Sequence, residues 1–102
     1  MIAFDTNVLV RYVMQDDEQQ AQAATRLIES RCSNEDPGLI SSIVLCELTW
    51  VLGRGYRADR QQIATVLRNI LTAGELQVDE PDLAWRALRL FEANDADFAD
   101  YL

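Results

Sequence analysis

Gly38-Leu39-Ile40-Ser41-Ser42-Ile43-Val44-Leu45-Cys46-Glu47-Leu48-Thr49-Trp50-Val51-Leu52 is the stretch that decides the fold. It starts extended and apolar over residues 38–41, meets Ser41 or Ser42 as a cap, and runs as a helix to about Arg54, with Gly53 and Gly55 bracketing its end. A strand that passes directly into a helix is half of a strand–helix–strand unit. The flanking sequence repeats the pattern. Residues 1–5 are short and apolar and close on Asp5, which suits a buried strand, and residues 6–14 follow as a helix with Thr6 as its expected N-cap. Residues 16–31 form a second helix. Ala21, Ala24, Leu27 and Ile28 share one of its faces, and Asp16, Asp17 and Glu18 fall in its first turn, where the helix dipole favours acids. Residues 33–38 are a loop by composition. Asp59 caps a further helix striped by Ile63, Val66, Leu67, Ile70 and Leu71, and Gly74 stops it. A third strand is expected over residues 75–79. Pro81 then opens a helix in which Asp82 faces Arg86, and a last helix begins near Ala96. Strands separated by helices imply an α/β domain with a mainly parallel sheet. Sites in such sheets form beyond the carboxyl ends of the strands, where Asp5 lies.

Composition narrows the function. The 102 residues allow one domain. Seventeen acids against nine bases leave a net charge of −8, which disfavours tight, non-specific binding of nucleic acid and favours a basic protein partner. All nine bases are Arg, whose planar fork matches phosphate. No stretch is long and apolar enough to span a bilayer, so no membrane association is expected. The opening residues lack a basic segment followed by an apolar run. A cytoplasmic location is therefore expected, with Cys32 and Cys46 as free thiols.

Most carboxylates have a structural explanation as caps, dipole partners or solvated groups; Glu29, Glu35 and Glu92 are of the last kind. Glu47 differs, being the only charge between Ile43 and Leu52. With Ile43, Val44, Leu48, Val51 and Leu52 around it, it is expected to emerge into a crevice, where a carboxylate must be paired, protonated or metal-bound. Asp5 closes an apolar strand, and Asp97 and Asp100 share one face of a helix start. Each has a plain reading as a cap or helix-start acid. If acids from several elements converged, two of them 4 Å apart would repel by roughly 4 kcal/mol at an effective dielectric near 20. Such a cluster needs a cation, and oxygen donors without His select Mg²⁺ or Mn²⁺. The chain contains no His, and two cysteines are too few for a structural zinc.

Three blocks carry a resemblance: Ile2-Ala3-Phe4-Asp5-Thr6-Asn7, Ile40-Ser41-Ser42 through Cys46-Glu47-Leu48, and Asp97-Phe98-Ala99-Asp100. In this order and spacing the chain resembles PIN domains of the VapC toxin type over essentially its whole length. The resemblance implies a three-layer α/β/α fold and a Mg²⁺-dependent endoribonuclease, the toxin of a toxin–antitoxin pair, whose cleavage leaves a 5′-phosphate. It implies that Asp5, Glu47 and Asp100 are the metal-site acids and Asp97 a neighbouring catalytic acid. Thr6 and Asn7 would support the site, and Ser41 or Ser42 would stand at its edge. The implied partners are RNA and a cognate antitoxin with a basic tail.

One departure stands out. PIN domains continue into a further strand with another acid, whereas this sequence ends at Tyr101-Leu102, so the domain is expected to be truncated at its C-terminus. An edge of the first strand would then be bare, and the chain is expected either to form a homodimer, for example by exchanging the segment around residues 98–102, or to stay soluble only with a partner or with the missing piece. Alternative readings are a non-catalytic remnant that binds an antitoxin, a PIN nuclease of RNA processing or DNA repair, and an unrelated α/β phosphotransferase using Asp5. The last lacks a second Asp at Asn7 and a Gly-rich phosphate loop.

Overall fold

A computed structural model of the chain describes residues 2–15 and 18–102. In chain order the elements are α1 (Thr6–Met14), α2 (Glu18–Arg31), β1 (Gly38–Ile40), α3 (Ser42–Arg54), α4 (Arg60–Thr72), β2 (Leu76–Val78), α5 (Pro81–Ala93) and α6 (Phe98–Tyr101). β1 and β2 pair in parallel, with Gly38 opposite Leu76 and Ile40 opposite Val78. The first segment joins the same sheet through a parallel bridge between Ala3 and Leu39. It is held by Phe4 N–H donating to the Leu39 carbonyl at 3.0 Å and by Leu39 N–H donating to the Ile2 carbonyl at 2.7 Å. The α/β class with a parallel sheet is therefore as the sequence implies, with β1 and β2 shorter than expected by a residue or two and the expected first strand reduced, among the described residues, to the single bridge at Ala3. Met1, Asp16 and Asp17, and with them the expected starts of the first strand and second helix, lie outside the described residues.

Burial follows the pleat. Phe4, Ile40 and Val78 are buried in one row, whereas Ala3 and Gln77 in the alternate row are exposed. The buried row meets Leu9 of α1, Ile28 of α2, Leu45, Leu48 and Leu52 of α3, Leu67 of α4 and Leu88 of α5 in one core cluster. α4 and α5 both pack on β2, and α1 and α6 both pack on α3.

Local signals explain most element ends. Ser41 caps α3, accepting from Val44 N–H at 3.2 Å. Asp59 caps α4 in a full capping box with Gln62, and Pro81 opens α5 without needing its missing N–H. Two details depart from expectation. Asp5, not Thr6, is the N-cap of α1: its Oδ1 accepts from Val8 N–H at 3.0 Å. The carboxylate one residue earlier reaches the free amide, and Thr6 becomes the first helical residue. Asp82 makes no ion pair with Arg86 among the described residues; the pair is formed instead by Arg68 and Glu92, across α4 and α5. Both partners stay largely exposed, so that pair contributes little.

Gly38 is needed where the first segment, β1 and the end of α2 converge. A Cβ there would stand 2.1 Å from Phe4 Cε2 and 2.9 Å from Cys32 Sγ. Gly38→Ala is expected to cost about 1–3 kcal/mol through overpacking. Urea unfolding should show a lower midpoint at unchanged slope. An unaltered midpoint would mean that Phe4 yields freely.

Candidate active site

The sheet register places three polar residues along one edge. With Ala3 opposite Leu39 and Leu39 opposite Gln77, two further residues bring each strand to Asp5, Ser41 and Asp79. At this edge strands hand over to helix N-termini, which favour negative charge. Asp5 is exposed and caps α1; Ser41 is half-buried and caps α3. Thr6 is half-buried and Asn7 exposed in the first turn of α1.

Asp79 is a carboxylate that sequence reasoning passed over as a mere strand end. Its Oδ1 accepts from Ser42 N–H at 3.1 Å and from Ser42 Oγ at 2.8 Å. It thereby caps α3 from the neighbouring strand and fixes the helix that carries Glu47. The signal available in sequence was an acid closing an alternating strand, the same signal that drew attention to Asp5.

Glu47 is exposed on α3, which corrects the crevice expected for it. α3 buries only the stripe of Leu45, Leu48 and Leu52. Ile43, expected to help enclose the acid, is itself 72% exposed, and Val44 and Val51 are half-buried.

Asp97 and Asp100 are exposed on a turn held from several sides. Phe98 between them is 1% exposed and meets Phe91 edge-on, ring centroids 6.2 Å apart. Asp97 N–H donates to Asp100 Oδ2 at 3.2 Å, and Ala96 N–H donates to the Tyr101 hydroxyl at 3.1 Å. Arg60 secures the approach to this turn. Its guanidinium donates to the carbonyls of Phe91 and Asn94 at 2.7 Å, Ala96 at 2.9 Å and Asp95 at 3.2 Å, and lies 3.9 Å from the Phe91 ring centroid. A cation at the carbonyl end of α5 also complements the helix dipole.

Asp5 thus caps α1 while Glu47 and Asp100 sit on α3 and α6, and α3 packs against both of the other helices. In kind these donors suit a hard divalent cation: oxygens only, with no imidazole in the chain. In placement they are not gathered, since among the described residues no three Asp, Glu or Cys side chains stand close enough to hold one ion. Cys32 is buried and Cys46 half-buried, both as free thiols. Burial raises the pKa of each, and Asp36 adds to the rise at Cys32, which keeps both as neutral thiols at physiological pH.

An α/β chain with acids at and around the carboxyl edge of a short parallel sheet belongs to a recognisable class. The family model of the PIN domain matches residues 2–102, and the chain belongs to that family. PIN domains are generally nucleases, which places the chain in a nuclease superfamily. No curated protein and no solved structure matches the chain closely enough to be set beside it. Among the described residues no helix is long and apolar enough to cross a membrane.

Proposed function

We propose that the chain is an endoribonuclease dependent on Mg²⁺ or Mn²⁺ and the toxin of a toxin–antitoxin pair. Asp5, Glu47 and Asp100 are assigned as metal ligands and Asp97 as the acid beside them. The observation that carries this reading is the family match over residues 2–102, in a chain whose candidate acids lie on or next to α1, α3 and α6, with α3 packed against both of the others. When bound, a divalent ion supplies Lewis acidity toward the phosphate and the attacking water. The chain's own contribution is placement: Arg60 and Phe98 hold the Asp97–Asp100 turn, Asp79 holds α3, and the cap bond to Val8 holds Asp5. A net charge of −8 supports an antitoxin with a basic tail as the partner. It also fits a cytoplasmic pair in which the partner's charge offsets the toxin's.

A second reading, a PIN-type module that binds an antitoxin without cleaving, is favoured by the ungathered acids. Cleavage of single-stranded RNA with and without Mg²⁺ separates the two. The nuclease reading expects metal-dependent cleavage that Asp5→Asn abolishes. It also expects a rise in melting temperature with Mg²⁺ that the variant loses. Asn caps helices as well as Asp does, so the substitution removes a ligand charge and leaves α1 capped. Cleavage without metal, or an equal thermal shift in the variant, sinks the metal assignment.

A further inference from the structure

The chain is acidic as a whole, yet its cations are unevenly placed. Three of its nine arginines, Arg54, Arg57 and Arg60, fall within seven residues at the turn from α3 to α4, with Asp59 as the one acid among them. Asp59 is occupied by its capping box with Gln62, and Arg60 by the carbonyls at the end of α5. Arg54 and Arg57 are exposed and form no ion pair among the described residues. Arg57 holds φ at 53°, a left-handed backbone uncommon outside glycine and met more often where function sets the conformation.

The same turn is preceded by an exposed ring. Trp50 is 64% exposed on α3 and shares one face of the helix with Arg54, four residues on. The Arg54 guanidinium carbon lies over that ring, 5.9 Å from its centroid. Beside them runs a groove of about 520 Å³ whose lining includes Trp50, Gly53, Arg54, Asp97 and Phe98, a volume within the range of ligand sites. Gly53 contributes no side chain to it although the fold has room for one: a Cβ there would meet only Ile63 Cδ1, at 3.7 Å. The groove thus joins the free ring and cation to Asp97, one of the acids assigned above.

We infer that Trp50, Arg54 and Arg57 hold a single-stranded nucleic acid beside the acids, with one base stacked on Trp50 and neighbouring phosphates against the two arginines. This rests on the nuclease reading above, which makes the strand RNA, and adds groups that position it without taking part in the bond cleavage. Chemistry selects the occupant. An indole face stacks any unpaired base, whereas a duplex keeps its bases stacked on one another. A guanidinium over the same ring offers its fork to phosphate. A basic peptide would face two free cations. An acidic peptide would answer the arginines but brings no succession of flat rings for the indole. The net charge of −8 keeps such binding weak, and it should fall steeply with salt.

Titration of the whole chain with oligouridylate in EDTA tests the contact apart from nuclease activity. The strand should quench tryptophan emission, and polyglutamate should not. Trp50→Ala, at an exposed position and with its fold confirmed by circular dichroism, should weaken binding of a labelled strand roughly 5- to 150-fold, the worth of one stacked base. It should leave the slope of log K against log salt unchanged, and Trp50→Phe should recover most of the loss. Arg54→Gln combined with Arg57→Gln should instead lower that slope by about 1.4, at about 0.7 for each phosphate of a single strand. A wild-type chain that binds no strand up to sub-millimolar concentration overturns the inference. So does binding indifferent to Trp50→Ala, a slope unmoved by the two Arg substitutions, or polyglutamate that displaces the strand through Trp50. A chain that binds as expected yet never cleaves would fail the nuclease reading and leave this site standing. Metal-dependent cleavage with undiminished affinity in every variant would do the reverse.

Discussion

Phe98→Ala is expected to remove a large share of the stability of the fold. The ring is 1% exposed and packs edge-on against Phe91 at 6.2 Å and 81°. Emptying such a site costs about 3–5 kcal/mol, from lost burial and from the cavity left behind. A chain of this length has roughly 5–15 kcal/mol in total, so the substitution removes a large share of it. α6 has four residues and cannot persist as an isolated helix. Phe98 is its one buried side chain, so its packing rests chiefly on this ring, and Asp97 and Asp100 depend on α6. Urea denaturation followed by circular dichroism checks the expectation. A midpoint near the wild-type value would show that α6 is not anchored through its ring.

Arg60→Met is expected to have the next largest effect. The substitution keeps much of the apolar stem against Phe91 but removes the donors to four carbonyls at the end of α5. Hydrogen bonds from a charged donor are worth about 1.5–3 kcal/mol each when fully formed. Three of the four here are solvent-exposed, so a total near 2–3 kcal/mol is the reasonable figure. For a domain of this size that lowers the melting temperature by roughly 10–20 °C. Arg60→Lys should recover less than half of the loss, because a single ammonium cannot reproduce a planar fork reaching four acceptors. Thermal melts of the two variants, measured side by side, decide this. Equal stability of the Lys variant and the wild type would reduce the role of Arg60 to charge alone.

What sequence revealed and what it hid divide by the range of the interaction. Ser41, Asp59 with Gln62, and Pro81 act within three or four residues of themselves, and each element boundary that they control was legible. The boundary at Asp5 and Thr6 was not, because either side chain can cap α1 and only the backbone conformation of Asp5 decides. The sequence points to an enclosed Glu47 only if its apolar neighbours in sequence are also its neighbours in the core. On α3 three of those neighbours are exposed or only half-buried: Ile43, Val44 and Val51. The bond from Ser42 to Asp79 spans 37 residues, and those from Arg60 to the end of α5 span 31 to 36. No local pattern announces contacts of that length. The parallel sheet was legible as a class, whereas the alignment of Asp5, Ser41 and Asp79 along its edge required the register.

Among the described residues the segment before α1 meets the sheet only at Leu39, through two hydrogen bonds. Amides in residues 2–5 should consequently exchange with solvent by local opening, well before the core that α3 and α5 share. Asp5 rides at the end of that segment. Its presence at the carboxyl edge is then a local equilibrium, separable from the stability of the domain. A ligand that engages Asp5 has to close that strand, and part of its binding energy goes into ordering it. Such a ligand would slow exchange at Ala3 and Phe4 while leaving the amides of Leu48 and Leu88 as they were, so the amino-terminal strand would report occupancy of the edge.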